Sequence, residues 1–224
     1  MRAHPSSHTR MVEPVQLNFF HDVLCAFCSV TAERLRQIEL EFGDLVHLEY
    51  KPFPLRLEDA APSGRDLRRQ VRWIKRAAKE PEGDGLSPSL WRGLDPPLSS
   101  LPPLVAAEAA RHQGLCAQRR LLRRLREAAL KCGVNVARRD VVLELASASG
   151  LDMDRFIAAY DAPATLRAVE ASRGEALQHG VHALPSVVVG ESWLLTGVRE
   201  LHEYREVVLR WLQRCGGPSA GVLN

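Results

Sequence analysis

The chain has 224 residues, and 46% of them are hydrophobic, so it carries ample apolar material for a packed core. Its formal net charge is +3 with the histidines neutral, which is too small to indicate nucleic acid or an anionic membrane surface as a partner. No apolar run approaches the roughly 20 residues that a membrane-spanning helix needs. The composition therefore predicts a globular protein without a nucleic-acid or membrane partner.

The first 14 residues are expected to form a flexible tail. Their sequence, MRAHPSSHTRMVEP, is polar and contains two prolines. It lacks the apolar stretch of roughly 7–15 residues that marks a secretory signal. We therefore expect a cytoplasmic protein whose folded part begins at about residue 15.

The first folded segment has a β-α-β pattern. Residues 15–20 (VQLNFF) predict a strand, residues 21–24 a turn, and residues 25–42 a helix that Gly43 ends. Residues 45–50 (LVHLEY) predict a second strand. Two strands joined by a helix in this way are usually parallel, with a right-handed crossover.

The predicted helix over 25–42 has one apolar stripe, which separates its two cysteines. Cys28 belongs to this stripe and should face the core, whereas Cys25 lies at the tip of the helix, nearer solvent. The stripe consists of Cys28, Ala32, Leu35, Ile38 and Phe42.

The middle of the chain is predicted to be helical, apart from a Pro-rich, Gly-rich and Ser-rich loop over residues 80–103. The helices are expected at 65–79, 104–113, 118–132, 138–148, 152–160 and 162–179. In the helix at 118–132, an apolar face of Leu121, Leu125, Ala128 and Cys132 predicts a buried Cys132, and the arginines of the RRLLRRLR run should face solvent. Trp73 and Trp91 are expected in the core, with a substrate groove as the alternative.

The last folded segment returns to strands. Residues 186–190 (SVVVG) and 192–196 (SWLLT) predict two short strands, and residues 199–213 predict an amphipathic helix. The expected fold class is therefore α/β with an inserted all-helical domain. Residues 15–60 and 180–215 would form the sheet domain, residues 61–179 the insertion, and residues 216–224 a C-terminal tail.

The Cys25-Ala26-Phe27-Cys28 motif lies at the junction of a strand and a helix. A helix N-terminus carries unsatisfied N–H groups and a partial positive charge, which favour a thiolate over a thiol. Cysteines in such a setting have pKa values below the ordinary value of about 8.5. Cys25 would then attack a substrate disulfide, and Cys28 would resolve the mixed disulfide.

Half of a zinc site is the alternative interpretation of this motif. Zinc usually takes four Cys or His ligands, but the sequence has neither a second Cys-x-x-Cys nor a His-x3–5-His. The other cysteines stand alone: Cys116 is expected as a small buried group or a surface thiol, and Cys215 lies in the tail. The pattern therefore favours redox chemistry without a metal or other cofactor.

The strand that ends in CAFC, the helical insertion and the segment GVHALPSVVVG together resemble the DsbA family, and within it the FrnE-like branch. The resemblance implies a thioredoxin-like fold with a helical insertion, and a protein disulfide oxidoreductase activity. It also implies a cis-proline that faces the cysteines, which here would be Pro185 after Leu184. The implied catalytic residues are Cys25, Cys28 and Pro185, and the implied substrate-binding residues are Leu184, Phe27 and Ala26.

The sequence departs from this family at three places. The spacer is Ala26-Phe27, where FrnE-like proteins usually have proline and tryptophan and DsbA has proline and histidine. Phe19 stands where thioredoxin and DsbA carry a buried acid six residues before the first cysteine. Asp22 matches an aspartate of the FrnE-like branch and is a candidate for proton transfer; the alternative is a turn-forming or helix-capping residue.

Two other functions stay open at this point. A glutathione-dependent isomerase or transferase of the kappa or 2-hydroxychromene-2-carboxylate isomerase type would share the fold, but that family usually has serine where Cys25 stands. A non-catalytic metal-binding or holdase protein is the second. The partners expected for the favoured activity are protein or small-molecule thiols and disulfides, including glutathione.

Overall fold

The computed structural model describes residues 13–57 and 61–214. The predicted tails at 1–14 and 216–224, and Cys215, lie outside these residues, apart from positions 13 and 14. In the part of the chain that is described, no helix is both long enough and apolar enough to cross a membrane.

The described residues form a sheet of four strands: β1 (Val15–His21), β2 (Val46–Pro52), β3 (Ser186–Val189) and β4 (Trp193–Thr196). Their order across the sheet is β2-β1-β3-β4. β1 and β2 are parallel, as the β-α-β pattern predicts, whereas β3 runs antiparallel to both β1 and β4. β1 therefore lies inside the sheet, and β2 forms one edge.

Helix α1 (Ala26–Phe42) connects β1 to β2, and α9 (Leu201–Arg214) follows β4. The other helices all lie between β2 and β3, which is the predicted α/β arrangement with a helical insertion. They are α2 (Gly64–Ala77), α3 (Ser89–Arg92), α4 (Leu101–Arg111), α5 (Leu115–Leu130), α6 (Arg139–Ala148), α7 (Met153–Tyr160) and α8 (Pro163–Gln178).

The apolar stripe of α1 is buried, as predicted. Cys28, Leu35 and Ile38 have no exposed surface, and they join a core that includes strand residues such as Leu17 and Val187. Burying one such aliphatic side chain stabilises the fold by about 1.5–3 kcal/mol. This packing fixes the rotation of α1 about its axis, and with it the positions of the two cysteines.

The turn between β3 and β4 requires a glycine at position 190. Gly190 has a φ of 60°, and a Cβ atom there would lie 1.9 Å from the Trp211 ring of α9. Trp211 in turn meets Trp193 edge to face, with 5.3 Å between ring centroids. The close approach ties the end of the sheet to the last helix.

Two sequence predictions of secondary structure differ from the structure in the helical middle of the chain. The predicted loop over 80–103 contains a 3-10 turn at Pro81–Gly83, helix α3 and the start of α4. Two prolines occupy the first turn of α4, where a missing N–H costs nothing. Helix α5 begins and ends earlier than expected, at Leu115 and Leu130.

Two side chains in and after α5 differ from their predicted environments. One that was expected to be buried is exposed, and one that was expected to face solvent is buried. Cys132 is exposed, because α5 ends at Leu130 and Cys132 follows in a turn. Arg126 is buried rather than solvated, since α5 buries a second line of residues beside the predicted one. That second line consists of Gln118, Leu122, Arg126 and Ala129.

Candidate active site

Cys25 is the N-cap residue of α1. Its backbone is extended (φ −84°, ψ 109°), and its Sγ accepts a hydrogen bond from the Cys28 N–H at 3.2 Å. The side chain is partly exposed. The sulfur thus takes the place of the side-chain oxygen that usually caps the N-terminus of a helix.

Cys28 lies one turn further along α1 and is fully buried. Burial raises the pKa of its thiol well above the ordinary value, and the hydrogen bond and charge of Cys25 raise it further. The Asp22 backbone and the Arg126 charge oppose these effects. The two free thiols thus differ as the helix stripe predicts: one meets solvent and the other is held protonated in the core.

The Asp22 side chain interacts with three segments of the chain, through Leu24, Leu55 and Ser100. One carboxylate oxygen accepts the Leu24 N–H at 2.8 Å, and the other accepts the Leu55 N–H at 2.8 Å. The residue is fully buried, and burial raises the pKa of its carboxyl; the Leu55 N–H, the Ser100 side chain and the Leu24 N–H oppose this effect. Asp22 therefore forms the predicted turn, but the cap of α1 is Cys25 instead.

The Leu184–Pro185 peptide bond is cis, as the family resemblance implies. β1 and β3 pair Phe20 with Ser186, so the next step of this register sets Pro185 beside His21 at the end of β1. Among the described residues, no hydrogen bond uses the main chain of Leu184. Its N–H and C=O are therefore without a hydrogen-bond partner in that part of the chain.

The insertion meets the site through an aromatic contact. The partly exposed Phe27 ring lies edge to face with Trp73 of α2, with 5.7 Å between centroids. Trp73 is 42% exposed, so the expectation of a core residue is wrong for it, whereas it is right for the buried Trp91. The Arg76 guanidinium lies 5.2 Å from the centre of the Trp73 ring. Ala26, by contrast, is buried and offers a substrate little side-chain surface.

Two charged or titratable groups near the cysteines escape prediction from the sequence. His21 is buried between Phe19 and Tyr50, and its Nδ1 has no hydrogen-bond partner among the described residues. Burial, and then the Arg126 charge, hold the pKa of this histidine well below its ordinary value. Arg126 comes from α5, about 100 residues away along the chain, and acts on His21, Asp22 and Cys28 together.

A helical-spacing argument could have found Arg126. It lies four residues after Leu122 and three before Ala129, so it shares a face with two apolar residues. No comparable signal exists for His21, which stands at the end of a strand of ordinary appearance. Within the described residues, no group of three or more His, Cys, Asp or Glu side chains is placed to hold a metal ion.

Comparison with known sequences gives a family and a small set of relatives. A family model described as a DSBA-like thioredoxin domain matches residues 16–208. The chain is also similar to the ClpXP adapter protein SpxH of Shouchella clausii, with 29% identity over 181 residues that cover 79% of this chain. The chain spans only 58% of the length of that relative.

Comparison with solved structures supports the fold. A putative protein disulfide isomerase from Nitrosomonas europaea superposes with a TM-score of 0.81 at 16% identity, covering 90% of this chain and 99% of that one. The cytosolic disulfide reductase DsbM of Pseudomonas aeruginosa, solved with GSH, gives a TM-score of 0.68 at 22% identity, covering 89% of this chain and 98% of that one. At these identities the likeness establishes a thioredoxin-like fold with a helical insertion.

Proposed function

The chain belongs to the DSBA-like thioredoxin domain family, and on that premise we propose that it is a thiol–disulfide oxidoreductase that works through Cys25 and Cys28. One observation carries the proposal: a partly exposed sulfur caps a helix, and a buried thiol follows it by one turn. The first thiol can reach a substrate, and the second can reach only the first. This asymmetry is what a two-step exchange of disulfides needs.

The proposed reduction runs in two balanced steps. The Cys25 thiolate attacks one sulfur of a substrate disulfide, and the other substrate sulfur leaves as a thiolate that takes up a proton. Cys28 then loses its proton and attacks the Cys25 sulfur, which releases the second substrate thiol and leaves a Cys25–Cys28 disulfide. Two electrons pass from the dithiol to the substrate, and oxidation of a substrate dithiol is the same sequence in reverse.

Asp22 is the proposed acceptor of the Cys28 proton. Its carboxyl is buried, its pKa is raised by burial, and its backbone interacts with the Cys28 sulfur. A carboxylate with a raised pKa accepts a proton more readily than an exposed one. The same aspartate supports a finer placement in the FrnE-like branch, which we include in the proposal.

Substrate would bind along the edge formed by Leu184, Pro185 and Phe27. The unpaired main chain of Leu184 suits an extended peptide or the backbone of a small peptide thiol. Glutathione belongs to the proposed substrates because the DsbM structure contains it.

A cytoplasmic location is proposed because the same DsbM protein is named as a cytosolic reductase. The proposed domain division is 15–60 with 180–215, and 61–179.

An adapter role is the second candidate function, since the SpxH relative is named for one. An adapter would need its binding surface but not its thiols. The glutathione-dependent transferase type and a metal-binding role have weaker support, because both cysteines are present and no metal cluster is found among the described residues.

The test is turnover of insulin disulfides by the full chain with glutathione as reductant. We expect wild-type protein to accelerate the reaction, Cys25→Ser to fall to the uncatalysed rate, and Cys116→Ser to match wild type. Cys116 is a fair control because it is an exposed thiol in the insertion. A wild-type rate equal to background would refute the oxidoreductase proposal, and retained binding of a protein partner by Cys25→Ser would then favour the adapter.

A further inference from the structure

A cleft of about 890 Å³ lies between α1 and α5, against the edge strand β2. This volume falls within the range of small-molecule sites, roughly 300–1,000 Å³. Ser29 and Arg36 border it from α1, Tyr50 from β2, and Arg123 and Arg126 from α5. The substrate edge at Leu184 and Pro185 takes no part in it.

On the cleft wall, more cations than carboxylates lack an ion-pair partner among the described residues. Three of its four carboxylates are already in ion pairs, namely Glu33 with Arg36, Glu39 with Arg119 and Glu82 with Arg34. Arg34 is not part of the cleft wall. The cationic side chains of the wall are Arg36, Arg119, Arg120, Arg123, Arg126 and Lys131.

Arg126 stands out among these cations. The residue is only 7% exposed, and its Nε and Nη2 have no hydrogen-bond partner among the described residues. The centre of the Tyr50 ring lies 5.6 Å from its guanidinium carbon. Arg119 covers the same ring but is also paired with Glu39 and with the Leu48 carbonyl.

A buried guanidinium without an anionic partner is unfavourable, because it has lost water and gained no acceptor. A cation–π contact leaves the N–H donors in the guanidinium plane unsatisfied. The same planar donors match a carboxylate or phosphate group in a two-point contact. The open space beside Arg126 thus presents the geometry of an anion site.

We propose that the cleft between α1 and α5 binds a small polyanion of phosphate or carboxylate chemistry, with one anionic group on Arg126. Arg123 and Lys131 would hold further negative charge at the rim, and the Ser29 hydroxyl is a neutral donor on the opposite wall. The ligand should carry at least two negative charges, because several cations of the cleft wall lack a carboxylate partner among the described residues. The proposal does not depend on the activity of the cysteines.

Binding at this position would reach the thiols through Arg126. The positive charge of Arg126 lowers the pKa of Cys28 and of Asp22, so an anion bound to it would offset that influence. Under the proposed function, the ligand would then slow the step in which Cys28 resolves the mixed disulfide. The cleft would in this way link a cellular anion to the rate of exchange.

The experiment is isothermal titration of the full chain with inorganic pyrophosphate, and separately with citrate, at an ionic strength fixed with potassium chloride. We expect saturable binding at one site for at least one of the two. Arg126→Met should weaken it by about tenfold or more, the loss of one charge-assisted contact. Arg210→Met, which alters an exposed arginine of α9 outside the cleft, should leave the affinity unchanged.

Each outcome decides the proposal. Saturable binding that Arg126→Met weakens and Arg210→Met does not supports it, and the preferred anion tells a phosphate site from a carboxylate site. No saturable binding of either anion by wild type overturns it, as does equal affinity in wild type and Arg126→Met. If Arg126→Met does not fold, Arg123→Met carries the test, and an unchanged affinity in that variant overturns the proposal. Insulin turnover plays no part, so failure here leaves the proposed function standing.

Discussion

The two ends of the chain and its helical middle meet at the cysteine pair and bring different groups to it. The ends supply the thiols, Asp22 and the Leu184–Pro185 bond, which lie close to the points where β1 ends, α1 begins or β3 begins. The middle supplies the Trp73 ring, which contacts Phe27, and the charge of Arg126, which lowers the pKa of the buried thiol. Under the proposed function, the first region would supply the reacting groups, and the second would set their electrostatics and part of the surface around them.

The polar groups of the two regions also differ in how they are satisfied. Asp22 accepts backbone N–H groups on both carboxylate oxygens. Arg126 leaves two buried nitrogens without acceptors. The main-chain contacts of Asp22 are part of the fold, whereas the contacts of Arg126 can change when a ligand arrives. The division predicts that the largest losses of activity come from the ends of the chain.

The largest effect is expected from the cysteines themselves. In Cys28→Ser, Cys25 can still attack a substrate, but no thiol remains to resolve the product, so mixed disulfides should accumulate. In Cys25→Ser they should be absent, because Cys28 is fully buried. Non-reducing gels of acid-quenched protein measure the difference.

Cys116→Ser provides the control for this trapping experiment, since its thiol is exposed and belongs to the middle of the chain. It should trap no more than wild type. Equal trapping by Cys25→Ser and Cys28→Ser would contradict the assigned roles. Trapping that depends on Cys116 would show that a thiol from the middle of the chain also reacts with substrates, contrary to the comparison of the two regions.

The sequence predicts the ends of the chain better than the middle, for a physical reason. Strand β1, the stripe of α1 and the cysteine motif are local patterns, and the local pattern decides how each packs. The burial of Arg126 and the exposure of Cys132 depend instead on where α5 ends and on which helices and strands cover it. Such contacts join residues far apart in sequence. The local pattern offers only the face that Arg126 shares with Leu122 and Ala129, and it gives the wrong answer for Cys132.

Acid sensitivity should reveal the buried imidazole of His21. Its pKa is held well below the ordinary value, so below about pH 6.5 the unfolded chain binds a proton that the folded chain excludes. The stability of wild type should therefore fall as the pH drops from about 6.5, by up to about 1.4 kcal/mol per pH unit. His21→Phe should abolish this slope.

Urea unfolding at a series of pH values measures the His21 effect. His47→Phe is the matched control, because His47 is an exposed strand histidine and should leave the slope unchanged. A slope that survives His21→Phe would show that the acid response arises elsewhere. In Arg126→Met the slope should extend over a narrower range of pH, since the α5 cation also lowers the pKa of His21 in the folded chain.

The neighbouring carboxyl should give a slope of the opposite sign. Burial raises the pKa of Asp22 above its ordinary 3.8, so between that value and the raised pKa the folded chain holds a proton that the unfolded chain has lost. Wild-type stability should fall as the pH rises through this window, by at most about 1.4 kcal/mol per unit. Asp22→Asn should remove the fall, and Asp84→Asn, at an exposed site, should not. An unchanged profile in Asp22→Asn would mean that its carboxyl keeps its ordinary pKa.

The smallest expected effect is the coupling between Phe27 and Trp73, which joins the two regions directly. Their rings meet edge to face at 5.7 Å, and such pairs contribute about 0.5–1.5 kcal/mol beyond the area they bury. A double-mutant cycle with Phe27→Ala and Trp73→Ala isolates this term, because the lost contact of Trp73 with Arg76 occurs in both arms and cancels. Urea unfolding at one pH gives the four stabilities.

The matched cycle combines Trp73→Ala with Trp193→Ala, whose ring contacts Trp211 instead. Its coupling should be zero within about 0.3–0.5 kcal/mol, the scatter found for independent sites. Coupling of Phe27 and Trp73 inside that scatter would mean that the insertion only lies beside the cysteine motif. Coupling above it would show that α2 holds the spacer residue in place. The partly exposed Phe27 ring would then be positioned by the middle of the chain, although the sulfur of Cys25 is positioned by the ends.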